Sequence, residues 1–164
     1  MRRLLTVLIG ATLIFFMSPV RAQPAQASLK AALLFRFVQY SEWSDKPPAQ
    51  QNYCIAQDAG VFNALTSILP QNTQASLITA ANQAATCTVL YLNAELASKP
   101  EWSQLLQTTG RLTVVEGAEL FRQGAMFGLI AEPNRISFRV NLTLARQQGF
   151  HLSAQMLKLA KEIH

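Results

Sequence analysis

The chain has little of what enzymes use. Its 164 residues include two histidines and two cysteines. The histidines are His151 and His164, and Asp45 and Asp58 are its only aspartates. There is no GxSxG, HExxH, Walker loop or GxGxxG, so hydrolysis, zinc proteolysis and nucleotide binding by those routes lack their residues. Neither cysteine sits in a CxxC and no histidine cluster accompanies them, which leaves redox catalysis and zinc binding unsupported. Basic clusters are missing too. Arg111, Arg122, Arg135, Arg139 and Arg146 are spread singly, so nucleic acid is not a sensible partner. No apolar run reaches the ~20 residues that span a bilayer. No residue is assigned a catalytic role, and no cofactor or metal is called for.

What is present begins with an export signal. Arg2 and Arg3 precede an apolar run from Leu4 to Met17, and Val20-Arg21-Ala22 places small residues at the −3 and −1 sites. Residues 1–22 therefore read as a secretory signal peptide cleaved after Ala22, and residues 23–164 as one exported domain. Removing Arg2, Arg3 and Arg21 leaves 11 Lys/Arg against 9 Asp/Glu, +2 rather than +5. In an oxidising compartment Cys54 and Cys87 suggest a disulfide, worth about 3–4 kcal/mol on the chain-entropy model for a loop of ~33 residues. Two buried thiols are the alternative.

The strongest pattern runs from Met126 to Ile163. Met126–Ala131 is apolar on both alternating faces, as in a strand covered on both sides. Glu132-Pro133-Asn134-Arg135 is a turn, and the chain returns as Arg135–Val140 with Ile136, Phe138 and Val140 on a dry face. Asn141 is placed to cap a helix over Leu142–Gln148 that stops at Gly149. Ser153 is placed to cap a last helix whose apolar positions are Leu152, Met156, Leu159 or Ala160, and Ile163.

Upstream, Ser28 can cap a helix running to about Trp43. Its apolar residues leave no wide polar stripe, so it must be buried on more than one side. One side packs on a sheet; the other asks for a second chain, at Leu33, Phe37 and Tyr40, or a membrane-near partner, or is buried within its own domain. The spacing then gives strands at Tyr53–Gln57, Ser76–Ala80, Cys87–Leu92 and Leu112–Val115. Helices alternate with them at Val61–Leu69, Pro100–Thr108 and Ala118–Arg122. Strand and helix alternation predicts an α/β fold. Its mainly parallel sheet has about five to six strands in flavodoxin-like order 2-1-3-4-5, a C-terminal antiparallel hairpin and flanking helices. Cys54 and Cys87 would then lie at matching ends of neighbouring strands. The most site-like stretch is Gln57-Asp58-Ala59-Gly60, where a strand meets a helix. There Asp58 suits a cap better than an anion site. Arg111 and Arg122 could serve a small anion, although solvated charge is the default for both.

The order of KAALLFRFVQYSEW, YCIAQD, CTVLYLN, RLTVVEG and RISFRVNLTLARQQGFHLSAQMLKLAK resembles the YfiR family of periplasmic regulators over most of residues 28–162. The sharpest match is Ile136–Leu142, where the family carries (I/V)-x-F-x-(I/V)-N-x. The resemblance implies a periplasmic repressor, often a homodimer, that binds the periplasmic domain of an inner-membrane diguanylate cyclase or related sensor. Cys54 and Cys87 match the family's disulfide pair. Some relatives carry a second cysteine pair where this chain has Phe121 and Gly128. Phe127 matches an apolar position in the surface region associated with partner binding, and an acidic residue is frequent at the position of Arg139; Phe127, Phe138, Arg139 and Asn141 are the residues expected to face the partner. The rival expectation is a periplasmic binding module for a small molecule, acting in transport or sensing.

Overall fold

A computed structural model describes residues 23–44, 47–133 and 135–164; the expected signal peptide lies outside them. The strands are β1 (Ser41–Trp43), β2 (Asn52–Ala56), β3 (Gln74–Ile78), β4 (Val89–Leu92), β5 (Leu112–Glu116), β6 (Phe127–Glu132), β7 (Arg135–Val140), β8 (Phe150–Leu152) and β9 (Glu162–Ile163). The helices are α1 (Gln23–Gln39), α2 (Ala59–Thr66), α3 (Pro100–Ser103), α4 (Ala118–Arg122), α5 (Leu142–Gln147) and α6 (Ala154–Leu157). Seven strands form one sheet in the order β3-β2-β4-β5-β6-β7-β9. Its first five members run parallel, β6 and β7 form the antiparallel hairpin, and β9 lies parallel to β7. This is the mixed α/β arrangement expected, with one further short strand at the hairpin edge.

Each strand turns alternate side chains to opposite faces. One face carries Tyr53, Ile55, Tyr91, Val114, Phe127, Leu129 and Phe138 under α1 and α2. The other carries Cys54, Ala56, Leu90, Leu92 and Val115 under short turns that contribute Leu96, Trp102, Leu106 and Phe121. The disulfide joins Cys54 to Cys87 on this second face, with Cα atoms 5.7 Å apart. The two cysteines do not sit at matching strand ends. Cys54 is central in β2 opposite Leu90, and Cys87 lies just before β4.

The first helix differs from its expected span. It starts earlier and ends at Gln39, because Ser41–Trp43 leaves to pair antiparallel with β8. The Ser41 hydroxyl donates to the Phe37 carbonyl (2.6 Å), and the Trp43 indole N–H donates to Gly110 O (3.2 Å) while its ring packs on Phe150. The second apolar side of α1 is taken up largely by its own fold. Phe37 stacks on Phe127 at 4.3 Å and meets the edge of Phe138 at 4.9 Å, and α2 packs alongside. Phe37 is therefore core, not the exposed contact expected of it, whereas Leu33 and Tyr40 are half-buried.

The C-terminal segment also differs. Its helix is a single turn capped by Ser153 Oγ, which accepts from Met156 N–H at 3.3 Å. Lys161 N–H then donates to Phe138 O (2.8 Å), drawing residues 162–163 into the sheet. Backbone pairing wins over the apolar stripe here, and Leu159 is left 74% exposed. No helix among the described residues is long and apolar enough to cross a membrane.

Candidate functional site

The strand order reverses between β2 and β4: the chain leaves β2 for β3 on one side and returns to β4 on the other. The crevice beyond the carboxyl ends of such strands is where open α/β sheets bind ligands. Four charged or polar side chains converge there. Asp58 follows β2, Tyr91 lies in β4, Glu116 ends β5, and Lys30 reaches in from α1. Asp58 Oδ1 accepts from Val61 N–H (3.0 Å), capping α2 as expected, and its Oδ2 is 3.2 Å from the Tyr91 hydroxyl. The same hydroxyl donates to Glu116 Oε1, an oxygen that also pairs with Lys30 Nζ.

A phenol has one proton to give, and this one faces two carboxylates. Burial first, then Glu116 and Asp58, push the ionisation of Tyr91 far above the ordinary phenol value. The hydroxyl is thus a fixed donor at neutral pH rather than a nucleophile or base. Chemically the network is a polar floor that ties α1 to the sheet. Beside it opens a cleft of about 370 Å³ between α1, the start of α4 and the hairpin. Lys30, Glu116 and Arg139 supply its charges, and Leu129, Ile130 and Ile136 line its apolar side.

The residues expected to face a partner are only partly brought together. Phe127 and Phe138 are buried beneath α1, because the dry face of the hairpin is the face that α1 covers. Neither is exposed in this fold. Arg139 lies on the opposite face, its guanidinium 5.5 Å above the Phe121 ring and 3.7 Å from Glu162. Asn141 is an N-cap: its Oδ1 accepts from Leu144 N–H at 2.9 Å. Between Arg139 and Phe121 lies Gly128, where an added Cβ would sit 2.8 Å from Phe121 Cδ2 and 2.9 Å from Arg139 Cγ. An aromatic ring is thus seated in a glycine notch at these two positions.

Arg111 is not the surface cation that was its default reading. It is buried, and its guanidinium donates to the carbonyls of Cys87 (3.1 Å), Ala84 (2.7 Å) and Leu105 (3.4 Å) and to Thr108 Oγ1 (3.4 Å). Burial lowers its pKa. Arg122 pairs with Glu119 on an exposed turn. Sequence reasoning missed Lys30, Tyr91 and Glu116. A hydroxyl inside the apolar run TVLYL was the available signal, since a buried phenol needs a partner.

Residues 27–161 match the profile of the family described as YfiR/HmsC-like. None of the curated proteins matches the chain. Among the solved structures that resemble it are two. One, from Streptococcus pneumonia, is described as the ABC domain in complex with L-Trp; its TM-score is 0.61 at 7% identity, covering 84% of this chain and 60% of that one. The other is a conserved domain protein from Vibrio cholerae O1 biovar eltor, with a TM-score of 0.56 at 13% identity and the same two coverages. At these identities the likeness is one of fold, and the chain spans about 60% of the length of either structure.

Proposed function

The chain belongs to the YfiR/HmsC-like family, and from that premise we propose that it is an exported regulator of cyclic di-GMP signalling rather than an enzyme. In this reading it works in the periplasm, as a pair of copies, and binds the periplasmic domain of an inner-membrane diguanylate cyclase. Repression is then a differential-binding effect: the regulator prefers the inactive cyclase and shifts its population. Moving that equilibrium from 99:1 to 1:99 takes about 5.5 kcal/mol of preference. The family match over residues 27–161 is the observation that carries the reading. The surface around Arg139 and the cleft supports it, with Leu29, on the exposed side of α1, close to the hairpin tip.

Crosslinking in intact cells, with identification of the captured membrane protein, tests the partner. A diguanylate cyclase is the expected capture, and its consistent absence would overturn the reading. Arg139→Ala tests the surface: cellular cyclic di-GMP should rise while the melting temperature holds, and unchanged repression would exclude this face. A second reading, a binding module for a small molecule, is favoured by the position of the cleft and by the fold relative described in complex with L-Trp. A ligand-dependent rise in melting temperature with no membrane partner captured would select it.

A further inference from the structure

The strand at the far edge of the sheet, β3, has no strand paired to its outer side among the described residues. Its sequence Gln74-Ala75-Ser76-Leu77-Ile78 has no charge and no proline, and its five residues pair with β2 in unbroken register. Sheet edges usually carry a charge, a proline or a bulge, because free backbone groups template another strand. Here the direction of each group can be assigned. Gln74 N–H donates to Gln51 O (3.2 Å), and Ile78 O accepts from Gln57 N–H (3.0 Å). In a parallel ladder that turns Gln74, Ser76 and Ile78 toward β2 and leaves Ala75 and Leu77 pointing outward. Two N–H donors and two C=O acceptors therefore face away from the sheet. Leu77 is 38% exposed beside them.

We propose that β3 pairs antiparallel with β3 of a second copy, about a two-fold axis through Ser76. Ala75 of one copy then stands opposite Leu77 of the other, and each such pair exchanges both of its hydrogen bonds. Symmetry repeats the pair, so every outward donor and acceptor is used. The pattern is self-complementary about Ser76, so a second copy satisfies it with the isologous symmetry of a two-fold dimer, and the two-copy reading supplies that copy. Lack of charge matters for the same reason, since like charges facing each other across the axis would repel. The inference rests on the two-copy part of the reading above and places the contact away from α1.

Ser76 would face its own copy as a non-hydrogen-bonded pair, with Cα atoms about 4.5 Å apart, within disulfide reach. In the exported protein, Ser76→Cys should give a covalent dimer on non-reducing gels. Ala75→Pro removes an outward N–H without touching the β2 ladder, a substitution that edge strands accept. Sedimentation velocity across a concentration series should show its dimer roughly 30-fold weaker, from two lost hydrogen bonds per dimer. Ser76→Lys keeps every backbone group and should weaken the dimer several-fold, which guards against a folding defect in the proline variant. A dimer that survives both substitutions and does not crosslink through position 76 overturns the edge contact while leaving the pair intact. A wild-type monomer at every concentration overturns both, and leaves cyclase binding to stand or fall by its own capture experiment.

Discussion

The two faces of the sheet are held by different means. On one, α1 spans 17 residues and lays Leu34, Phe37 and Val38 against the strands, with the Phe37–Phe127 stack at the centre. On the other, the covering segments Ala81–Thr86, Ala94–Ser98, Pro100–Ser103, Gln104–Gln107 and Ala118–Arg122 are none longer than six residues. Helices so short have almost no stability of their own. That face relies on point ties instead: the Cys54–Cys87 bridge, the Arg111 guanidinium gathering carbonyls from two turns, and Phe121 seated at Gly128. Continuous burial does on one side what a few local attachments do on the other.

Phe37→Ala puts the largest load on this contrast. It removes one ring from a three-ring cluster in a packed interior and should cost about 3–5 kcal/mol in urea unfolding. Removing the bridge with Cys54→Ser and Cys87→Ser together should cost less, about 3–4 kcal/mol for its loop. It should also loosen the turn cover selectively: amide exchange should quicken around Ala84 and Leu106 while amides of α1 stay protected. Uniform quickening on both faces would mean that the faces do not differ in the way described.

Much of this was legible in advance. The hairpin, its Glu132/Arg135 register, the Asn141 cap and the parallel order could be read because strand alternation and cap chemistry are local. The ends of the first and last helices could not. Ser41–Trp43 and Glu162–Ile163 become strands only because partners distant in sequence supply an edge. The burial of the two phenylalanines expected at a partner could not be read either, for a related reason. Phe127 and Phe138 are apolar whether they meet a partner or α1, and only the packing of α1 decides which. The Lys30–Glu116–Tyr91–Asp58 network was hidden because its members come from four elements far apart in the chain.

Gly128→Ala probes the weaker of the point ties. Its Cβ would enter space held by Phe121 and by the Arg139 stem, so the ring must shift; the expected cost is about 1–3 kcal/mol. Adding Phe121→Ala should recover part of that loss by clearing the notch, and a double-mutant cycle reads the coupling directly. Additive losses would show that the ring and the glycine do not meet as described.

The smallest effect separates both faces from the hairpin edge. Glu132 accepts from Lys161 Nζ (2.6 Å) and Ser137 Oγ (2.8 Å) and pairs with Arg135, which ties the hairpin to the segment leading into β9. The bond from Lys161, then those from Arg135 and Ser137, hold its carboxyl down at about 2 against an ordinary 4.5. Because the folded value is depressed, the stabilisation is complete above the ordinary value and is lost as pH falls from about 4.5 toward 2. Aromatic burial and a disulfide do not titrate in that window. Wild type and Glu132→Gln should therefore differ in urea midpoint by a constant amount at neutral pH, and the two curves should converge as the solution is acidified. A gap that persists to the acid end would assign the role of Glu132 to shape and neutral hydrogen bonding rather than to its charge.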